Sequence, residues 1–214
     1  MALVQTKAEI AEGMNRIAHL YRFMAFVLSL GRVPRAIRRQ LNSLNADSIC
    51  VLGCGDGLGL ERGLRTFRRV RLIDLSEEML QRARRRFGEP YELVQGDENS
   101  IDDSELVYLP FVLNLYREEE LPVFSRSLWN AMDDGQDLIV TDFNPSSGKL
   151  SKAYLRLLYM GFGRLTKTSI TTLGDYPNAL RNAGFEPLEE TLLDGGLISL
   201  SRYRKGKVKN SHQE

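Results

Sequence analysis

Cysteine is nearly absent. The chain has two, Cys50 and Cys54, and with only two histidines it lacks the second ligand pair that a zinc site would need. A disulfide framework is equally unsupported, and both thiols are expected to be reduced. Charge of one sign is missing too. Lys and Arg number 29 against 28 Asp and Glu, a formal net charge of +1, so the whole-molecule field points to no nucleic acid and to no acidic partner. Arginines cluster at Arg32–Arg39, Arg62–Arg71 and Arg82–Arg86, but in segments of helical periodicity, where they read as solvated helix faces. No stretch approaches the roughly 20 apolar residues of a membrane span. Phe23–Leu30 has the length of a signal-peptide core, yet Lys7, Glu9 and Glu12 upstream give mixed charge rather than a basic start, so a cytoplasmic helix is expected. Repeats and low-complexity linkers are also lacking.

What remains is an ordinary globular composition, 43% apolar and 27% charged, in 214 residues, which suits one substantial domain and is short for two. Ile10, Met14, Ile17, Leu20 and Tyr21 recur at helical spacing, and after Gly31 and Pro34 a second helix is expected over Arg35–Leu44. Short apolar runs then alternate with helical patterns. Strands are expected at Ser48–Leu52, Val70–Leu75, Tyr91–Val94, Leu106–Leu109 and Leu138–Asp142, with a helix capped by Ser76 and another over Glu118–Met132. Such alternation predicts a parallel sheet covered on both faces. Further on, Leu150–Leu165 is apolar and tyrosine-rich, Thr171–Ala183 reads as a helix stopped by Gly184, and Phe185–Leu193 faces Leu197–Tyr203 across Asp194-Gly195-Gly196 as a hairpin. The expected layout is a helical preface (1–44), a core (45–204) with a helical insertion at about 147–165, and a polar tail (205–214).

The run VLGCGDG at Val51–Gly57 sets glycines at alternate positions directly after a strand and, by expectation, before a helix. Glycine there permits positive φ and lets a ligand touch the backbone, while amides at a helix start can face a carboxylate or phosphate. A dinucleotide fingerprint needs G-x-G-x-x-G, and neither Gly53, Gly55 nor Gly57 can begin one. The pattern G-x-G-x-G instead resembles the first motif of the class I S-adenosylmethionine-dependent methyltransferases. Ile73–Arg84 (IDLSEEMLQRAR) resembles their second motif, and Gly96-Asp97 the acidic site after the third strand.

That resemblance implies S-adenosyl-L-methionine as cofactor and a Rossmann-like, mostly parallel, seven-stranded α/β sheet with helices on both faces and an antiparallel C-terminal hairpin. It assigns cofactor binding to Tyr21, Gly53, Cys54, Gly55, Asp74, Leu75, Met79, Asp97 and Glu98, with Asp74 on the ribose hydroxyls and Asp97 on the adenine amino group. Met14–Arg35, with Ile17, Ala18, Tyr21, Ser29 and Gly31, is similar to the N-terminal segment of the ubiquinone and menaquinone biosynthesis C-methyltransferases. AGF at Ala183–Phe185 and GGLIS at Gly195–Ser199 are similar to that group's ending. Two departures stand out: Val51 replaces an acidic residue before the turn, and Arg22 replaces the aspartate after Tyr21. Asp56, within the turn, is the nearest carboxylate to take the first one's place.

A methyltransferase of this kind mainly aligns a nucleophile, and no catalytic triad is recognisable. Candidate catalytic or orienting groups are Tyr21, His19, Tyr108 and Asp142, with Asn114 and Asn144 beside them. The expected acceptor is a small lipophilic molecule, a quinone, phenol or lipid. Leu150–Leu165 would then serve as a lid or as a peripheral contact with a membrane. The alternative is a protein that binds S-adenosylmethionine or S-adenosylhomocysteine without methyl transfer, which Val51 and Arg22 favour.

Overall fold

The computed structural model describes residues 7–16, 29–88, 90–148, 151, 153–155 and 173–206. Its centre is a seven-stranded sheet in the order β3-β2-β1-β4-β5-β7-β6. The strands are β1 (Ser48–Leu52), β2 (Arg69–Asp74), β3 (Glu92–Gln95), β4 (Leu106–Pro110), β5 (Asp137–Phe143), β6 (Phe185–Leu193) and β7 (Ile198–Lys205). All neighbours from β3 to β5 are parallel, and β7 runs antiparallel to both β5 and β6. Sheet and hairpin therefore have the expected form, with strand limits within two residues of expectation.

β1 is buried along its whole length because both faces of the sheet are covered, which is why SICVL is apolar without alternation. Its side chains nevertheless alternate between two cores. Cys50 and Leu52 join Val107, Leu109, Phe124 and Leu128 on one face, and Ile49 and Val51 join Leu41, Leu64, Leu80 and Tyr108 on the other. Helices α1 (7–16), α4 (Leu121–Ala131) and α5 (Tyr176–Ala183) lie on the first face, and α2 (Arg32–Ser43) and α3 (Glu77–Phe87) on the second. Ser76 caps α3 as expected, its hydroxyl accepting from Met79 N at 3.1 Å, and Glu77 and Glu78 followed by Arg84–Arg86 complement the helix dipole. α5 starts later than expected because Gly174 precedes an Asp175 cap and Pro177 sits in the first turn.

One expectation fails. No α-helix follows the glycine turn; the chain passes through turns to a single 3₁₀ turn, Gly63–Thr66. Gly57 and Gly59 have φ of 80° and 86°, which no α-helix accommodates. The close approach of α2 explains the glycines: a Cβ on Gly59 would lie 2.9 Å from Pro34 Cα, and one on Gly63 would lie 2.4 Å from Leu41 Cβ. Of the insertion, residues 151 and 153–155 are helical, and 156–172 lie outside the described residues, as do the tail from 207 and the segment 17–28.

Candidate functional site

Strand order reverses at β1, with β2 on one side and β4 on the other, and ligands of such sheets bind beyond the carboxyl ends at that point. The glycine turn occupies this position. Gly53 N and Cys54 N both donate to Ile73 O, at 2.8 and 3.0 Å, drawing the turn over the end of β2. Gly53 and Gly55 adopt φ of 79° and 54°. A Cβ on Gly53 would meet Val112 Cγ2 at 2.4 Å, so this glycine also admits the β4–α4 connection.

Asp74, the last residue of β2, faces the turn. Its Oδ2 accepts from Gly55 N at 2.7 Å and its Oδ1 from Ser76 N at 2.9 Å. A carboxylate offers about four lone-pair directions, so acceptor capacity remains for further donors. Burial pushes the Asp74 carboxyl up to about 6 against the help of these two amides. The carboxyl is thus a strained anion that added donors would relieve.

Cys54 and Met79 are buried, at 5% and 0% exposure, and the Cys54 thiol, raised well above its ordinary range by burial, donates to Gly55 O at 3.6 Å. Leu75 is half-buried against the first core, and its carbonyl accepts from Gln95 Nε2 at 3.3 Å. Asp97 caps the 3₁₀ turn Glu98–Ser100. Its burial is outweighed by Lys7 and Asn99, which hold its carboxyl below the usual range. Glu98 beside it is 1% exposed. Tyr21 and His19 lie outside the described residues.

Tyr108 and Asp142 are both fully buried. Tyr108 points into the second core, with its hydroxyl 3.0 Å from Thr141 Oγ1, and burial raises its pKa. Asp142 accepts from Leu113 N, Asn114 N, Asn114 Nδ2 and Phe143 N at 2.7–3.2 Å, and burial pushes its carboxyl up to about 7. Four N–H donors make it the anchor of the β4–α4 connection, with Asn114 its partner. Asn144 holds the hairpin turn instead, donating to Gly196 O at 3.0 Å. Asp56 is not free to replace a carboxylate at Val51: its Oδ2 pairs with Arg86 at 2.7 Å and its Oδ1 accepts from Leu58 N.

Three features escaped the sequence reading. Arg86 clamps the glycine turn from the end of α3, a role hidden within an arginine run. Lys7 reaches Asp97 and Glu98 from α1, at 2.7 and 2.6 Å, with nothing in its local pattern to signal it. Phe111, directly after β4, has φ of 56°, a conformation rare for a bulky residue. Its N–H donates to Thr141 O at 2.7 Å, and its ring meets Phe143 edge-on at 5.0 Å. Leu155, Tyr154 and Leu197 complete an apolar cluster beyond the ends of β4 and β5. Among the described residues no cluster of metal ligands occurs.

Residues 49–135 match the family model described as a methyltransferase domain. No curated protein sequence matches the chain. Human N-acetylserotonin methyltransferase in complex with S-adenosylmethionine is similar in structure, with TM-score 0.62 and 18% identity over 89% of this chain and 59% of that one. An O-methyltransferase family 2 protein from Planctomyces limnophilus in complex with apigenin gives TM-score 0.63 and 16% identity, over 85% and 60% of the two chains. Magnesium protoporphyrin IX methyltransferase from Synechocystis PCC 6803 with bound S-adenosylhomocysteine gives 0.61 and 16%, over 91% and 100%. The chain thus spans about 60% of the length of the first two of these proteins. It has the fold of the class I S-adenosylmethionine-dependent methyltransferases, and its residues 49–135 match the model of a methyltransferase domain.

Proposed function

We propose that the protein is an S-adenosylmethionine-dependent methyltransferase that methylates carbon or oxygen of a small lipophilic acceptor, aromatic or isoprenoid in character. The observation that carries the cofactor assignment is Asp74, buried at the strand-order reversal, tied to the glycine turn through Gly55 N, and retaining acceptor capacity for two ribose hydroxyls. The donor set suits the group: a glycine turn for close backbone approach, and acidic residues at the ends of β2 and β3. When bound, the sulfonium supplies an already electrophilic methyl group. The chain's own task is then to bind, exclude water and orient the acceptor, and alignment of this kind lowers barriers by roughly 7–11 kcal/mol.

The apolar cluster of Phe111, Phe143, Tyr154 and Leu155 beyond β4 and β5 supports a lipophilic acceptor. Several structural neighbours bear the names of aromatic small molecules, N-acetylserotonin, magnesium protoporphyrin IX and apigenin. The quinone or phenol class is the finer form of this reading, drawn from the resemblance of Met14–Arg35. A peripheral membrane contact through Leu150–Leu165 belongs to it; no described helix is long and apolar enough to cross a membrane.

A second reading, binding of S-adenosylmethionine or S-adenosylhomocysteine without turnover, is favoured by the engagement of Asp56 with Arg86, which leaves the position of Val51 without a substitute carboxylate. Incubation with methyl-tritiated S-adenosylmethionine and a total lipid extract separates the two. Label in the organic phase supports transfer. Calorimetric binding of S-adenosylhomocysteine with no label in any extract supports the second reading.

A further inference from the structure

Glu98 carries two oxygens in unequal circumstances. Oε1 accepts from Lys7 Nζ at 2.6 Å and from the Ser127 hydroxyl, whereas Oε2 is buried and has no partner among the described residues. A buried acceptor without a donor is costly, and a donor from a bound ligand is one way to satisfy it. Asp97, the acceptor to which the sequence points, is already engaged on both sides. Its Oδ1 takes Asn99 N and Asn99 Nδ2, each at 3.0 Å, and its Oδ2 takes Lys7 Nζ at 2.7 Å.

Lys7 is fixed by the way α1 is fastened down. Ile10 is buried in the first core, Ser76 donates to Asn15 Oδ1, and Glu9 pairs with Arg117 at 3.5 Å. These contacts reach the start of α3 and the approach to α4, the elements flanking the acidic turn. The ammonium bridges the two neighbouring carboxylates, offsetting one of their two charges, and with Ser127 holds one edge of Glu98 in place. That leaves the other edge free to accept.

We propose that Lys7 is a positioning residue of the cofactor site: it occupies Asp97 and Glu98 Oε1, so that Glu98 Oε2 becomes the acceptor for the adenine amino group. The site is then incomplete without the N-terminal helix, which lies outside the matched segment 49–135. This inference rests on the reading that S-adenosylmethionine is the cofactor.

The test is calorimetric discrimination between S-adenosylhomocysteine and its analogue carrying hydrogen in place of the 6-amino group. A ratio of two affinities on one preparation does not depend on how much of that preparation is folded. The unaltered chain should prefer the amino compound by at least about tenfold, the value of one hydrogen bond to a charged acceptor. Glu98→Leu and Lys7→Met should reduce the ratio to near unity, whereas Lys7→Arg should retain most of it and Asp97→Asn should preserve it even if both affinities fall. A wild-type ratio in Lys7→Met, or a ratio abolished by Asp97→Asn and kept by Glu98→Leu, overturns the proposal. If the unaltered chain binds neither compound, the cofactor reading itself fails, and this inference with it.

Discussion

Removal of the Arg86 guanidinium should loosen the glycine turn more than any other single change on α3. Its Nε donates to Asp56 O at 2.7 Å, its Nη2 to Asp56 Oδ2 at 2.7 Å and its Nη1 to Glu61 Oε1 at 2.6 Å. The Arg86 side chain is 15% exposed and that of Asp56 only 4%, while that of Glu61 is 34% exposed. Arg86→Met keeps most of the stem but strands Asp56 as an unpaired buried carboxylate, a class of change that costs about 3–5 kcal/mol. The better-solvated Glu61 arm should add less than about 1 kcal/mol. Urea unfolding of Arg86→Met, Asp56→Asn and the double variant measures the coupling. The double variant should recover part of the loss, because an amide needs no counter-charge, and the single Arg86 variant should also bind S-adenosylhomocysteine more weakly. A loss under about 1 kcal/mol in Arg86→Met, with no coupling to Asp56, would refute the clamp.

Gly55→Val should abolish binding of S-adenosylhomocysteine in a chain that still melts cooperatively, since a β-branched residue opposes the positive φ there; normal binding would show that the turn has been misplaced. The pH dependence follows from Asp74, whose carboxyl is raised from 3.8 to about 6. Between those values the folded chain holds a proton that the unfolded chain has released, so this residue's stabilising contribution is lost as pH rises through about 6. Cofactor affinity runs the other way, because ribose hydroxyls donate to the ionised form. Titration calorimetry should show weaker binding at pH 5 than at pH 7.5, with proton release on binding near pH 6. At Phe111, glycine relieves the backbone strain that alanine retains. Urea unfolding should therefore find Phe111→Gly more stable than Phe111→Ala by about 1 kcal/mol, and both should impair acceptor methylation more than binding of S-adenosylhomocysteine.

Much of the sheet was legible because a doubly covered parallel strand must be apolar on both faces, a condition that ICVL of β1 and LIV of β5 satisfy in full view. Ser76 was legible because its capping bond spans three residues, and the hairpin because Asp194, Gly195 and Gly196 all take positive φ. The missing helix after β1 was not, since glycine-rich turns and helix starts share a local pattern. Here the choice was made by Pro34 and Leu41 of α2, packed where a helix would need room. Lys7 and Asp97 lie 90 residues apart, and neither sequence neighbourhood encodes their meeting. Asp142 illustrates a different limit: a carboxylate at a strand end reads as chemistry, and nothing in the sequence announces the four N–H partners through which it anchors the β4–α4 connection.

Calorimetry of S-adenosylhomocysteine binding to the unaltered chain and to Asp74→Ala tests the central claim most directly. A carboxylate that accepts the ribose hydroxyls contributes about 1.5–3 kcal/mol per bond, so the variant should bind at least about tenfold more weakly than the unaltered chain. Equal affinity in the two proteins, or no binding to the unaltered chain, would contradict the account.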